Sequence, residues 1–203
     1  MINEVDAYAH YEFLIDEGDD PVHDHEKLKE YMSNWDGPLF FNSLDLNKDK
    51  NVLEVGIGTG RVAVQVLNKG CKEFVGIDIS PKTIKKAKEN LSKYNNVQLI
   101  EQNILTFIRP NQFDIIYSVL TFLHIEDKAL ALKNIYSSLK KEGYFILSIS
   151  KDDNWLDYGR RKVKLYPESK EYYIELLKAT GFIIELCEET FSGFATIVKS
   201  RKN

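Results

Sequence analysis

Residues 52 to 63 read Val52-Leu53-Glu54-Val55-Gly56-Ile57-Gly58-Thr59-Gly60-Arg61-Val62-Ala63, an apolar run that passes through three alternating glycines into a helix-forming stretch. A strand that turns at once into a helix needs unusual backbone angles, and a ligand that approaches it needs backbone without side chains in the way; glycine supplies both. Dinucleotide and phosphate sites share this strand–loop–helix unit, so the spacing must discriminate. A nicotinamide or flavin fingerprint puts glycine at the first, third and sixth positions, and the sixth here is Arg61. The Gly-Lys-Ser/Thr of a phosphate loop is also missing. What remains favours a ligand without a pyrophosphate.

Outward from this loop the chain alternates strand and helix. Val62 to Leu67 continues as helix, and Glu73 to Ile77 forms a second apolar strand. It ends in Gly76-Ile77-Asp78-Ile79-Ser80, where Asp78 is positioned to accept hydrogen bonds from ribose hydroxyls in the crevice at the strand ends. Asp78 could instead cap a helix, but Ser80, directly before Pro81, already fills that place. A third strand, Val97 to Ile100, leads into Gln102-Asn103-Ile104-Leu105, where polar Asn103 can read an adenine edge while its apolar neighbours sandwich the ring. Phe113 to Val119 is a fourth strand. A helix over Asp127 to Lys140 carries Leu132, Ile135, Tyr136 and Leu139 at helical spacing, Gly143 is read as its end, and Tyr144 to Ser150 is the fifth strand. Continuous apolar strands alternating with helices indicate an α/β fold, a doubly wound, mostly parallel sheet with helices on both faces. After a helix over Glu168 to Thr180, closed by Gly181, come Phe182 to Glu189 and Phe194 to Lys199. So short a link makes this pair antiparallel.

Before the glycine loop the texture differs. An aromatic opening (Tyr8, Tyr11, Phe13) is followed by an acidic break from Asp16 to Pro21, a helical stretch from about His23 to Trp35, a break at Gly37-Pro38, and an apolar segment from Leu39 to Leu46. The 203 residues are read as one domain: a helical appendage or lid over 1–46, a cofactor-binding core over 47–150, and an acceptor-side insert with the terminal hairpin over 151–203. Hydrophobic residues make up 43% and the net charge is -4, with no strong nucleic-acid signal. The two cysteines, Cys71 and Cys187, are far apart and lack metal-ligand spacing, which fits a reducing compartment. No signal peptide or membrane-spanning stretch is readable, so the expectation is a cytoplasmic protein with no membrane partner.

With these segments in order, the chain resembles the class I S-adenosylmethionine-dependent methyltransferases, in their small single-domain branch. The resemblance rests on Val52 to Gly60, Phe74 to Ser80, Val97 to Leu105, Phe113 to Ser118, Leu139 to Leu147 and the terminal hairpin. It implies a seven-stranded sheet in the order 3-2-1-4-5-7-6 with the last strand antiparallel, and S-adenosylmethionine as cofactor. On that basis Gly56, Gly58 and Gly60 line the methionine and ribose moieties, and Glu54 sits beneath them, reaching the amino group through water. Asp78 takes the ribose, Ile79 packs on adenine, Asn103 and Ile104 hold its edge, and Ser118 faces the methionyl end. Asn103 departs from the family's usual Asp, yet an amide can accept from the adenine amine and donate to a ring nitrogen. Glu142-Gly143 departs at a turn position.

The acceptor is less legible. His124, in Leu120-Thr121-Phe122-Leu123-His124-Ile125, lies where the crevice opens and is the best base candidate; packing in a helical turn is the stronger alternative. Tyr8, Tyr11 and Phe13 form either a lid over the cofactor, with Tyr11 touching it, or a packed aromatic staple. Trp155, Tyr158 and Tyr166 either shape the acceptor pocket or pack at its rim, and Tyr158-Gly159-Arg160 suggests a small hairpin. Residues 118 to 121 read Ser-Val-Leu-Thr, so the Asn/Asp-Pro-Pro-Tyr/Phe motif of adenine or glutamine methylation is absent and a small-molecule acceptor is favoured. Two rivals stay open: a non-catalytic S-adenosylmethionine-binding protein and, weaker, a nicotinamide oxidoreductase.

Overall fold

A computed structural model describes residues 3–150 and 155–203. Its sheet is built on β2 (Asn51–Val55), β3 (Glu73–Asp78), β4 (Val97–Glu101), β5 (Phe113–Val119), β6 (Leu139–Ser150), β9 (Phe182–Glu189) and β10 (Ala195–Lys202). They lie in the order β4-β3-β2-β5-β6-β10-β9, with β10 antiparallel to both its neighbours. This is the expected order and the expected antiparallel strand. The pleat explains the sandwich. Leu53, Ile116, Phe145 and Leu147 face a core shared with α6 (Lys128–Ser138) and α7 (Lys170–Thr180). Val52, Ile115, Tyr117 and Ile146 face the opposite core with α3 (Gly37–Ser43), α4 (Arg61–Lys69) and α5 (Pro81–Asn90).

Helix ends follow local chemistry. Ser80 caps α5 by accepting from Thr83 N, with Pro81 in the first turn, and Gly181 closes α7 in the left-handed region at φ 109°. Three expectations are corrected. Gly37-Pro38 opens α3 instead of only breaking a helix, because the Asp36 carboxylate accepts from Gly37 N and proline suits a first turn. The preceding helix, α2 (Glu26–Met32), is shorter than the 23–35 stretch. Gly143 does not end α6: the helix stops at Ser138, and Gly143 lies inside β6, where an added Cβ would sit 2.9 Å from Lys140 O.

The opening segment is more ordered than its sequence suggests. Asn3–Val5 forms β1, and α1 (Ala7–Asp16) follows, capped by the Asp6 side chain on Ala9 N. The expected small hairpin exists as β7 (Trp155–Asp157) against β8 (Arg161–Lys164), and β1 joins β8 in parallel to make a three-stranded sheet. The ends of the opening segment and of the insert thus meet above the strand ends of the main sheet. Cys71 is buried, Cys187 is exposed, and both are free. Among the described residues no helix is long and apolar enough to cross a membrane.

Candidate functional site

A cavity of about 280 Å³ opens at the carboxyl ends of β2, β3 and β4, between the glycine loop and α1. Its floor is made of backbone. Gly56 N and Ile57 N both donate to Ile77 O, at 2.9 and 3.0 Å. Gly56 stands at φ 76°, and a Cβ there would lie 2.0 Å from Thr121 Oγ1. Gly58 stands at φ 57°, and a Cβ there would meet no protein atom within 4 Å, because the space beyond it is the cavity. Gly60 is different: it is off the wall, and its missing Cβ makes room for Leu91 at 3.3 Å. The lack of a side chain at Gly60 thus serves helix packing.

Asp78 ties this floor together. One carboxylate oxygen accepts from Gly58 N and the other from Ser80 N, both at 3.0 Å. Burial raises its pKa, and the backbone N–H groups pull it back. An ionised carboxylate has about four acceptor positions, so the two bonds leave capacity toward the cavity. Structural tie and ligand acceptor are therefore compatible at Asp78.

Glu54 is 2% exposed and on the wall, and its Oε2 accepts from Tyr117 OH at 2.9 Å. The contact follows from register, since Glu54 pairs directly with Tyr117 across β2 and β5. Burial pushes Glu54 up to about 8, against the Tyr117 hydroxyl and Arg61. Arg61 itself is committed to Asp36, Nη2 to Oδ2 at 2.6 Å, with Asp36 buried. Neither partner was singled out from the sequence, although a carboxylate inside an apolar strand signals that a polar tip on a neighbouring strand must answer it. Tyr117 is that tip.

Ile79, Asn103 and Ile104 line the cavity beyond Asp78. Asn103 Oδ1 already accepts from Leu105 N at 2.9 Å, so its carboxamide folds its own turn and keeps its Nδ2 hydrogens for a ligand. Ser118, expected at the methionyl end, is fully buried, and its hydroxyl donates to Val55 O at 2.9 Å. Along β5 the pleat turns Tyr117 and Val119 to the loop face and Ser118 to the other. Past the strand end Leu120 does line the cavity, at φ 55°, a backbone region costly for a side chain and found most often at functional sites. Nothing in the sequence marks it.

Tyr11 and His124 close the cavity from above and meet. Tyr11 OH lies 2.9 Å from His124 Nε2, with the rings edge-on at 5.3 Å. Burial lowers His124 to about 4, with a smaller push from His10, so the imidazole is neutral near pH 7. Its Nδ1 is buried and has no hydrogen-bond partner among the described residues. Burial, then Asp78, raises Tyr11 and keeps its hydroxyl protonated. His124 rides on a single 3-10 turn, Phe122–His124, directly after β5.

The roof around them is pinned from both sides. Glu12 accepts from Ser80 OH at 2.6 Å and Lys82 N at 3.1 Å at the start of α5. Arg161 of β8 donates through Nε to His10 Nδ1 at 3.0 Å and grips Glu17 with two bonds of 2.6 and 2.8 Å. Tyr158 stacks on His10 at 4.6 Å and, like Tyr8 and Tyr166, is off the wall; the Trp155 side chain lies outside the described residues.

Residues 46–188 match the family described as a methyltransferase domain. The chain is 32% identical over 132 residues to malonyl-[acyl-carrier protein] O-methyltransferase 1 of Ilyobacter polytropus, a match covering 58% of this chain and 49% of that protein. It is 28% identical over 152 residues to phosphoethanolamine N-methyltransferase of Plasmodium falciparum, covering 72% and 56%. The chain thus spans about half the length of these curated relatives. In fold it is similar to the N-methyltransferase NodS from Bradyrhizobium japonicum, solved with S-adenosyl-L-homocysteine, with a TM-score of 0.72 at 18% identity over 98% of this chain and 99% of that one. A family match across the glycine loop, the Asp78 strand and the first strand of the closing hairpin means that the chain belongs to the methyltransferase-domain family.

Proposed function

We propose that the chain is an S-adenosylmethionine-dependent methyltransferase acting on a small-molecule acceptor. The observation that carries this reading is Asp78, a half-buried carboxylate at the end of β3 that holds the glycine loop by Gly58 N and still faces a cavity. The residues present fit the cofactor. Gly58 leaves a cradle that a Cβ would fill, Asp78 offers acceptors for ribose hydroxyls, and Glu54 offers a carboxyl for the amino group. When bound, S-adenosylmethionine supplies an electrophilic methyl on a sulfonium that departs as a neutral thioether.

The chain's own task is then positioning and, for a protonated nucleophile, accepting a proton. His124 is on the wall and hydrogen-bonded to Tyr11 OH, which makes it the base candidate of this scheme, a weak one because burial holds it near 4. The wall beside it mixes apolar Leu120 and Ile125 with Thr121 and Glu126. Arg61, the cation on the wall, is neutralised by Asp36. Such a lining suits a small, partly apolar acceptor better than a polyanion. The relatives' names span O- and N-methylation, which fits a shared floor under differing roofs. In this reading residues 1–46 are the cover, 47–150 hold the cofactor, and 151–203 bound the acceptor side. The free cysteines fit a cytoplasmic setting.

Calorimetry with S-adenosylhomocysteine tests the floor. Asp78→Ala should weaken binding by about 1.5–3 kcal/mol, the range for hydrogen bonds to a charged acceptor; unchanged affinity sinks the ribose assignment. Turnover to S-adenosylhomocysteine with a metabolite library tests catalysis. Tight binding without turnover on any metabolite would favour the non-catalytic binder.

A further inference from the structure

We propose that Lys128 is a positioning residue for this reaction: its ammonium clamps the turn carrying His124 to the acceptor-side segment at Tyr166, and so sets the imidazole against Tyr11. The inference rests on the methyltransferase reading above.

Lys128 is 2% exposed and is the first residue of α6. Both facts disfavour a cation, because burial strips its hydration and a helix N-terminus carries partial positive charge. Burial lowers its pKa, and Glu168 and Glu126 push the other way. Among the described residues no carboxylate forms an ion pair with it. Its Nζ donates instead to two carbonyls, Ile125 O at 2.7 Å and Tyr166 O at 2.5 Å. Tyr166 N in turn donates to Leu123 O at 2.7 Å. These three bonds bracket His124, one on the residue before it and one on the residue after it. The Tyr166 and Tyr173 rings stand 5.9 and 6.0 Å from the ammonium and give it favourable π faces.

An apolar side chain of the same length would satisfy packing at this place without the desolvation cost. The ammonium adds to the Tyr166 N–Leu123 O bond by tying Ile125 O and Tyr166 O, carbonyls of two irregular segments outside helix and strand, to one donor. One of those segments ends on the base and the other leads out of β8, so the clamp fixes the path from the insert through His124 to Tyr11.

The test is histidine-labelled NMR on the intact chain, with S-adenosylhomocysteine calorimetry alongside. In Lys128→Met the His124 titration midpoint should rise by about one pH unit or more as water reaches the ring. The ring contacts to Tyr11 should weaken, and S-adenosylhomocysteine affinity should fall by no more than the roughly fivefold expected from a loosened roof, since the floor is untouched. Lys128→Arg, which keeps charge and donors, should restore the midpoint. A Lys128→Met protein with a lower melting temperature but an unmoved His124 titration overturns the proposal and leaves a merely structural lysine. Should Lys128→Met not fold, Lys128→Gln is read by the same midpoint: a rise supports the clamp, and an unmoved midpoint overturns it. Failure of the wild type to bind S-adenosylhomocysteine overturns the cofactor reading alone, because the titration reads the clamp without ligand.

Discussion

Gly56 to Gly60 and the end of β3 hold one another through backbone donors, to Ile77 O and to the Asp78 carboxylate, whereas α1 is held above them by side chains drawn from separate elements. The floor closes over short strand-to-helix loops at the ends of neighbouring parallel strands, and its donors have nowhere else to go. The roof joins residues far apart in the chain: Tyr11 to His124, His10 and Glu17 to Arg161, Glu12 to Ser80. Each such bond contributes about 0.5–1.5 kcal/mol net, and β1 adds only three paired residues. A region held in this way opens locally at less cost than the sheet beneath it. A preformed floor under a separable roof suits an enzyme that holds its cofactor while acceptors come and go.

The largest effect is expected from breaking the floor. Gly58→Val places a branched side chain at φ 57°, where L residues pay about 1–2 kcal/mol, and directs it into the cavity. S-adenosylhomocysteine affinity should fall by roughly a hundredfold or more, while circular dichroism and a cooperative melt stay near wild type. Normal binding by this variant would mean that the loop is only a turn and the cofactor site lies elsewhere.

The same contrast decides what the sequence discloses. Gly58 and Asp78 are legible because backbone angles and strand ends constrain residue type locally, and the sheet order is legible because continuous apolar strands demand helices on both faces. The roof is not. Nothing local in Tyr8 to Phe13 says that His10 will accept from Arg161, and the β1–β8 pairing depends on a crossing of distant segments. Ser118 is hard to read for a smaller reason: a strand of period two puts its neighbours, not itself, on the loop face. Gly60 shares a motif with Gly58 yet serves Leu91, because successive loop residues point in different directions.

A middle-sized effect should come from loosening the roof alone. Arg161→Met keeps the stem but removes the His10 bond and the Glu17 fork. Half of Glu17 is exposed, so solvent screens that pair, and the weakening of local closing should come chiefly from the lost His10 bond. Amide exchange in residues 7–16 should quicken while residues 52–67 stay unchanged, with S-adenosylhomocysteine binding roughly fivefold weaker. Exchange in α1 that stays as slow as the core would show a fixed strap, and the lid reading would fall.

The smallest effect has opposite signs in the two regions. On the floor, burial lifts Glu54 from 4.5 to about 8, helped by Asp78 and Asp36. The folded state holds a proton that the unfolded chain releases, so this contribution to stability is full below about pH 4.5 and is lost as pH rises through about 8. On the roof, burial lowers His10 and His124 from 6.5 to about 4, with Arg161 adding to the shift at His10. There the unfolded chain binds the protons, so stability is full above pH 6.5 and falls as pH drops toward 4. Exchange free energies should therefore rise with pH in residues 7–16 across the acid window and fall with pH in residues 51–55 across the neutral one. A ligand ammonium beside Glu54 favours its ionised form, and that ionisation is easier at higher pH. S-adenosylhomocysteine affinity should then increase roughly threefold from about pH 6 to 8, and Glu54→Gln should flatten the slope. An affinity that is flat in the wild type, or a slope that survives Glu54→Gln, would remove Glu54 from the amino-group site and leave it a partner of Tyr117 only.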